Sequence, residues 1–265
     1  MKKEKKLLLD NNSAKRAIVI VIALILLVFS GFQIAKIYLE ENAAKNEQKD
    51  LISIIADVDG SIDSGNNEEA ITLTGKSFSE LKAINSDFIG WLSFNSGLIN
   101  QPVVLTGDNE YYLNKSFFKK NSSMGTAFLD ASQTTASRNM TIYGHLVYNN
   151  NSLMFSPLHK LIDQANYQAN RYFSFTTATE VRNYEVAIVF YYHLEEDMAI
   201  PYYVGNLTDD QFNQYVELAG AKEFYDTGVE FSTGDKLITL QTCVKNKDEL
   251  RLIIIGKEIS RTPIN

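Results

Sequence analysis

The chain has one cysteine, Cys243, and it ends an apolar run, Lys236-Leu237-Ile238-Thr239-Leu240-Gln241-Thr242-Cys243. Eight positions on, Arg251 begins a second run, Arg251-Leu252-Ile253-Ile254-Ile255-Gly256. Rich in Leu, Ile and Thr and separated by the charged stretch 244–250, the two runs are predicted to be strands joined by a loop. If they are antiparallel neighbours with these residues opposed on one face, the two Cβ atoms lie about 5 Å apart. That sets a permanent cation beside a thiol and favours the thiolate, the nucleophilic form of cysteine. The residue types also allow a plainer reading, a small buried cysteine and a surface arginine.

A thiol enzyme that acts on an amide also needs a proton donor for the leaving amine and donors for the oxyanion. His145 is the candidate donor, because Asn139-Met140-Thr141-Ile142-Tyr143-Gly144-His145 reads as a strand ending on a glycine and a histidine. A side chain at a strand end can project over a cleft, and Gly144 lets the backbone turn closely. His159, after Pro157, is expected on the polar face of a helix, and His193 follows a strand and precedes Glu195-Glu196-Asp197. Three scattered histidines and one cysteine offer no zinc-ligand spacing, so no metal site and no cofactor are expected. Asp248, the acid nearest the site in sequence, is expected to be solvated.

Short strands and a few helices must position these groups. Ser77 and Glu80 have capping-box spacing and open a predicted short helix. Strand and turn pieces follow at 85–92, 99–105 and 108–113, then strands at 125–130, 172–177 and 184–192. Thr208 is expected to cap a helix running to about Phe224, with Asp209 and Asp210 at its positive end. Trp91 is expected to pack in the core.

Lys2, Lys3, Lys5, Lys6, Lys15 and Arg16 precede an apolar stretch at 17–35. Some 19 residues at a rise of about 1.5 Å just cross a hydrocarbon core of about 30 Å, and the basic flank holds that end in the cytoplasm. No small-x-small cleavage site follows, so an uncleaved anchor is expected. The expected organisation is a cytoplasmic tail at 1–16, a transmembrane anchor at 17–35, an extracellular helix and flexible stalk at 36–76, and a folded domain at 77–265. Residues 1–35 hold six Lys and Arg against two Asp and Glu, leaving 19 against 30 elsewhere and a body near −11. So acidic a body is no partner for nucleic acid. With one cysteine, a domain outside the cell takes its stability from packing.

Thr239-Leu240-Gln241-Thr242-Cys243 with Arg251 beyond it resembles the active-site strand pair of the sortases, which carry a TLxTC signature. Tyr143-Gly144-His145 is similar to their histidine strand, and the pieces at 77–113 and the helix before the cysteine strand resemble class B members, from about Ser77 to Glu258. The resemblance implies a mixed, mainly β fold: a closed sortase-type barrel with peripheral helices behind the N-terminal transmembrane helix. It implies that Cys243 attacks the carbonyl of a threonine-like residue in a sorting signal, that His145 protonates the departing amine, and that Arg251 holds substrate and oxyanion. An amine of peptidoglycan or its precursor then takes the thioester, fixing a surface protein to the wall. Thr242 and Gln241, flanking the nucleophile, are expected at the substrate; many relatives have Ser in place of Gln241, and many class B members have Asn in place of Leu146. His145 precedes Cys243 by 98 positions, the reverse of the order in papain-like peptidases. Two alternatives stay open: a pilin-polymerising enzyme, and a membrane-tethered binding domain without activity.

Overall fold

A computed structural model describes residues 11–60, 70–148 and 150–264. Eight strands close into a barrel in the order β1 (Phe88–Phe94), β2 (Asn100–Val104), β3 (Ala127–Leu129), β4 (Asn139–Tyr143), β7 (Leu237–Val244), β8 (Lys247–Pro263), β6 (Glu180–His193) and β5 (Tyr172–Thr176). The pairs β2–β3 and β4–β7 are parallel and the others antiparallel. Helices α1 (Asn11–Asp59), α2 (Gly75–Ile84) and α3 (Asp209–Gly220) lie outside the sheet.

One core cluster draws side chains from all eight strands, among them Leu92, Val103, Leu129, Ile142, Phe175, Val186, Leu240 and Ile254. A second cluster sits under α3, where Phe212, Tyr215 and Ala219 meet Ile188, Phe190, Ile253 and Ile255. These two clusters explain the unbroken apolar run Leu252–Ile255 within β8. Successive residues of a strand point to opposite faces, so Leu252 and Ile254 join the first cluster while Ile253 and Ile255 join the second. Both faces of β8 are buried from Leu252 to Gly256, and polar alternation is therefore absent from that part of its sequence.

The structure moves one cap and shortens one helix. Thr74, not Ser77, caps α2: its hydroxyl accepts from the N–H groups of Lys76 and Ser77, and Ser77 Oγ returns a bond to the Thr74 N–H. The box is therefore a Thr–Ser pair one turn earlier than Ser77–Glu80. Thr208 caps α3 as expected, with Gln211 completing the box, but α3 ends at Gly220, before the expected Phe224. Trp91 is fully buried in the core, as its apolar setting predicts.

The described residues form two compact units, one ending at Asn42 and the other beginning at Ala43. The first is the apolar part of α1, whose large side chains from Ile18 to Leu39 are exposed. α1 holds a window of mean hydropathy 2.8 with none of it buried, long and apolar enough by length and composition to cross a membrane. In the second unit, the C-terminal part of α1 packs against the barrel. Leu51, Ile52 and Ile55 are buried with Ile71, Leu73, Phe78, Phe88 and Trp91. Glu47 Oε1 accepts from the Phe117 N–H at 2.8 Å, and Gln48 Nε2 donates to the Asn100 carbonyl at 3.0 Å. Most of the stalk expected before Ser77, residues 61–69, and the basic residues 2–6 lie outside the described residues.

This packing predicts a stability difference between two truncations. Burying a Leu or Ile side chain contributes about 1.5–3 kcal/mol, and a chain starting at Ser77 loses Leu51, Ile52, Ile55, Ile71 and Leu73 together. A fragment of residues 43–265 should therefore exceed one of 77–265 by about 5 kcal/mol or more in urea unfolding. Equal midpoints would show that this part of α1 adds nothing to the body.

Candidate active site

The hairpin that carries Cys243 and Arg251 is tighter than the sequence implies. Rather than a loop spanning 244–250, Lys245 and Asn246 make the turn, and β8 already begins at Lys247. Asn246 takes φ 58°, a left-handed conformation that asparagine tolerates better than most residues. Cys243 and Arg251 are direct register partners, while the next pair is Val244 with Lys247. Asp248, Glu249 and Leu250 are thus extra on the β8 side. β8 stays in register with β6 here, pairing Arg251 with Tyr192 and Leu250 with His193, so the excess bulges away from β7. The bulge also holds the guanidinium: Arg251 Nη1 donates to the carbonyls of Asp248 and Leu250, each at 2.8 Å.

β4 lies parallel to β7 on its other side, with Tyr143 opposite Gln241. The ladder runs one residue further, the Gly144 N–H donating to the Gln241 carbonyl at 3.1 Å. A Cβ at Gly144 would overlap the Phe155 ring, so glycine is required by close approach. His145 follows at once, and its Nε2–H donates to the Leu113 carbonyl at 2.8 Å. Gly125, at φ +61°, lies against the same carbonyl, and a Cβ there would stand 3.0 Å from the His145 ring.

Cys243, His145 and Arg251 all line one cleft of about 350 Å³, together with Gln241, Tyr143, Leu113 and Asn109. Thr242 is not brought to it. Strand alternation turns its side chain the other way, where it is fully buried, and its hydroxyl has no partner among the described residues. His193 stays in the β6 turn, its Nδ1 accepting from the N–H groups of Glu195 and Glu196. His159 is not on a solvated helix face. It sits in a 3₁₀ turn, Ser156–Ile162, and its Nε2–H donates to the carbonyl of Cys243 at 3.0 Å. Burial depresses its pKa, against the opposing effect of that hydrogen bond, so the ring is neutral at pH 7.

Asp130, the last residue of the strand predicted at 125–130, is a further group that the sequence did not single out. Its carboxylate accepts from Tyr143 Oη at 2.8 Å, Asn109 Nδ2 at 3.1 Å, and the Ser132 hydroxyl and N–H. Burial opposes its charge, but these donors outweigh burial and hold its pKa below the usual carboxylate range. Burial and the Asp130 charge together push the Tyr143 phenol far upward, so it remains a neutral donor. Asp130 therefore fixes two residues of the cleft wall, Tyr143 and Asn109. The available signal was an acid directly after the apolar run Ala127-Phe128-Leu129, a buried position that an aspartate occupies only with partners.

The sortase-domain family model matches residues 95–259, which include His145, Cys243 and Arg251. The chain belongs to the sortase family. Sortase B of Listeria monocytogenes is 30% identical over 188 residues, covering 69% of this chain and 74% of that protein. A Staphylococcus aureus sortase B–substrate complex superimposes with TM-score 0.68 at 20% identity, over 84% of this chain and 97% of that one. A Bacillus anthracis structure described as similar to sortase B gives TM-score 0.66 at 25% identity, over 85% and 98%. This sortase is of the class B type, with the closed barrel and peripheral helices of that class, and is a cysteine transpeptidase.

The Asp130 cluster carries a pH signature. A carboxylate whose folded pKa is depressed contributes stability above its unfolded pKa of about 3.9, and that contribution is lost as pH falls through the folded value. Asp130→Asn should cost about 1–3 kcal/mol in urea unfolding at pH 7, and the gap to wild type should narrow at pH 3. A gap that widens at pH 3 would contradict the assignment of charge to Asp130.

Proposed function

We propose that this sortase is a membrane-anchored transpeptidase that cleaves a C-terminal sorting signal and joins the protein to an amine of peptidoglycan or its precursor. The observation that carries the reading is the register pairing of Cys243 with Arg251 in a cleft that His145 also lines. Cys243 Sγ attacks the carbonyl of a threonine-like residue; the C–N bond breaks, and the departing amine takes a proton from His145. The Nε2–H of His145 is committed to the Leu113 carbonyl, so Nδ1 is the nitrogen that exchanges protons with the reaction. The incoming amine then attacks the thioester, returns a proton to Nδ1 and expels the Cys243 thiolate. Arg251 has Nη1 bonded to two carbonyls, which leaves Nε and Nη2 to face substrate and oxyanion. Gln241, on the cleft side of β7, contacts the substrate beside the nucleophile.

Hydroxylamine tests the chemistry, because a strong nucleophile intercepts a thioester. With fluorescent peptides randomised around one internal threonine, the wild type should form a hydroxamate and Cys243→Ala should form none. Arg251→Lys should lose about 10²-fold or more in kcat, a planar fork being replaced by a point charge. Combining it with His145→Ala should cost less than the sum of the single losses. Hydroxamate from Cys243→Ala at the wild-type rate would end the transpeptidase reading.

The anchor reading rests on the apolar, exposed helix and on the basic flank before Ala17. Protease added outside intact cells should digest the body and spare the N-terminus. A body protected in sealed cells and cleaved only after lysis would reverse this topology.

A further inference from the structure

The acid and the nucleophile sit on different pieces of chain, His145 at the start of an excursion from β4 and Cys243 at the end of β7. That excursion, residues 144–171, is tied to β7 at two points. At its start the Gly144 N–H binds the Gln241 carbonyl at 3.1 Å, and near its middle His159 Nε2–H binds the Cys243 carbonyl at 3.0 Å. Between the two ties it is braced internally, the Phe155 N–H donating to the carbonyl of His145 itself at 3.1 Å. The second tie falls where the β7–β8 ladder is interrupted, between Cys243 and Val244, so β8 alone does not hold the backbone there in regular register. The His159 ring is half-buried, and its Nε2–H meets the nucleophile's own carbonyl.

Accepting the transpeptidase reading with His145 as the acid, we infer that His159 is a positioning residue that sets the separation of His145 from Cys243 by clamping the Cys243 carbonyl. It touches neither substrate nor the reacting atoms. A carbonyl can only accept, so the clamp needs an N–H donor of about the reach of a histidine. A misplacement of order 1 Å between reacting groups can cost about 10²-fold in rate. Losing one of several ties should therefore slow acyl transfer while leaving the cleft able to bind peptide.

The experiment compares His159→Gln with His159→Met in the full chain in detergent. The two side chains are similar in length and both unbranched, but only glutamine donates. With the randomised threonine peptides and hydroxylamine, His159→Met should lose about tenfold or more in kcat with KM within about twofold, and His159→Gln should stay within about threefold of wild type. Alkylation of Cys243 by a small haloacetamide, which needs the thiolate but not the His145 geometry, should change less than about twofold in either variant. The proposal is overturned if His159→Met turns over like wild type, if both variants fall equally, or if alkylation falls in step with turnover. A wild type that forms no hydroxamate fails the transpeptidase reading and takes this proposal with it; an active wild type matched by His159→Met fails this proposal alone.

Discussion

The register of β8 is the constraint on which the site depends. A one-residue slip would exchange Leu252 and Ile254 for Ile253 and Ile255 between two buried clusters and carry Arg251 from one face to the other. Both alternatives are apolar, so hydrophobicity alone does not choose between them. The choice is made by shape and by the long ladder with β6, which holds β8 from Pro263 to Leu250 while β7 pairs with it from Lys257 to Lys247. Because the β6 ladder continues through Arg251 and Leu250, the mismatch is expelled against β7 as a bulge. That bulge supplies the two carbonyls that hold the guanidinium, so one irregularity both ends the nucleophile strand and aims the cation.

Around that hairpin the site is built from backbone more than from side-chain pairs. His145 is held by the Leu113 carbonyl, Cys243 by His159 through its own carbonyl, and Arg251 by the bulge. Such bonds fix tautomer and direction without adding a charge that would compete with substrate. A buried charge nearby, Asp130, is met by four donors and faces Tyr143 and Asn109, so it stiffens the wall. Gly144 and Gly125 permit this backbone crowding, because a Cβ at either would enter space already occupied by a ring or a carbonyl.

The C-terminal part of α1 reaches toward the same region from outside. Glu47 holds the Phe117 N–H, and Phe117 belongs to the segment that begins with Tyr112 and Leu113. Within it, the Tyr112 carbonyl accepts from the Thr126 N–H, and Tyr112 Oη is bonded to Asn85 and Asp87. The carbonyl that orients His145 therefore sits in a segment braced by α1, by the turn between α2 and β1, and by the residue that leads into β3.

The residue types and their spacing determined a good deal: an apolar helix long enough to cross a membrane behind a basic flank, a strand pair with Cys243 and Arg251 on it, a histidine after Tyr143-Gly144, and a resemblance that named the family. These were legible because each depends on local order along the chain, whether apolar length, strand propensity or a short signature. Only the tertiary structure decided that β8 starts at Lys247, that Thr242 faces away from the cleft while Gln241 faces it, and that Thr74 caps α2. It alone brought His159 to the carbonyl of Cys243 and Asn109 to Asp130. The physical reason is separation: those partners lie 84 and 21 positions apart, and their meeting is set by how the barrel closes, which no local pattern encodes.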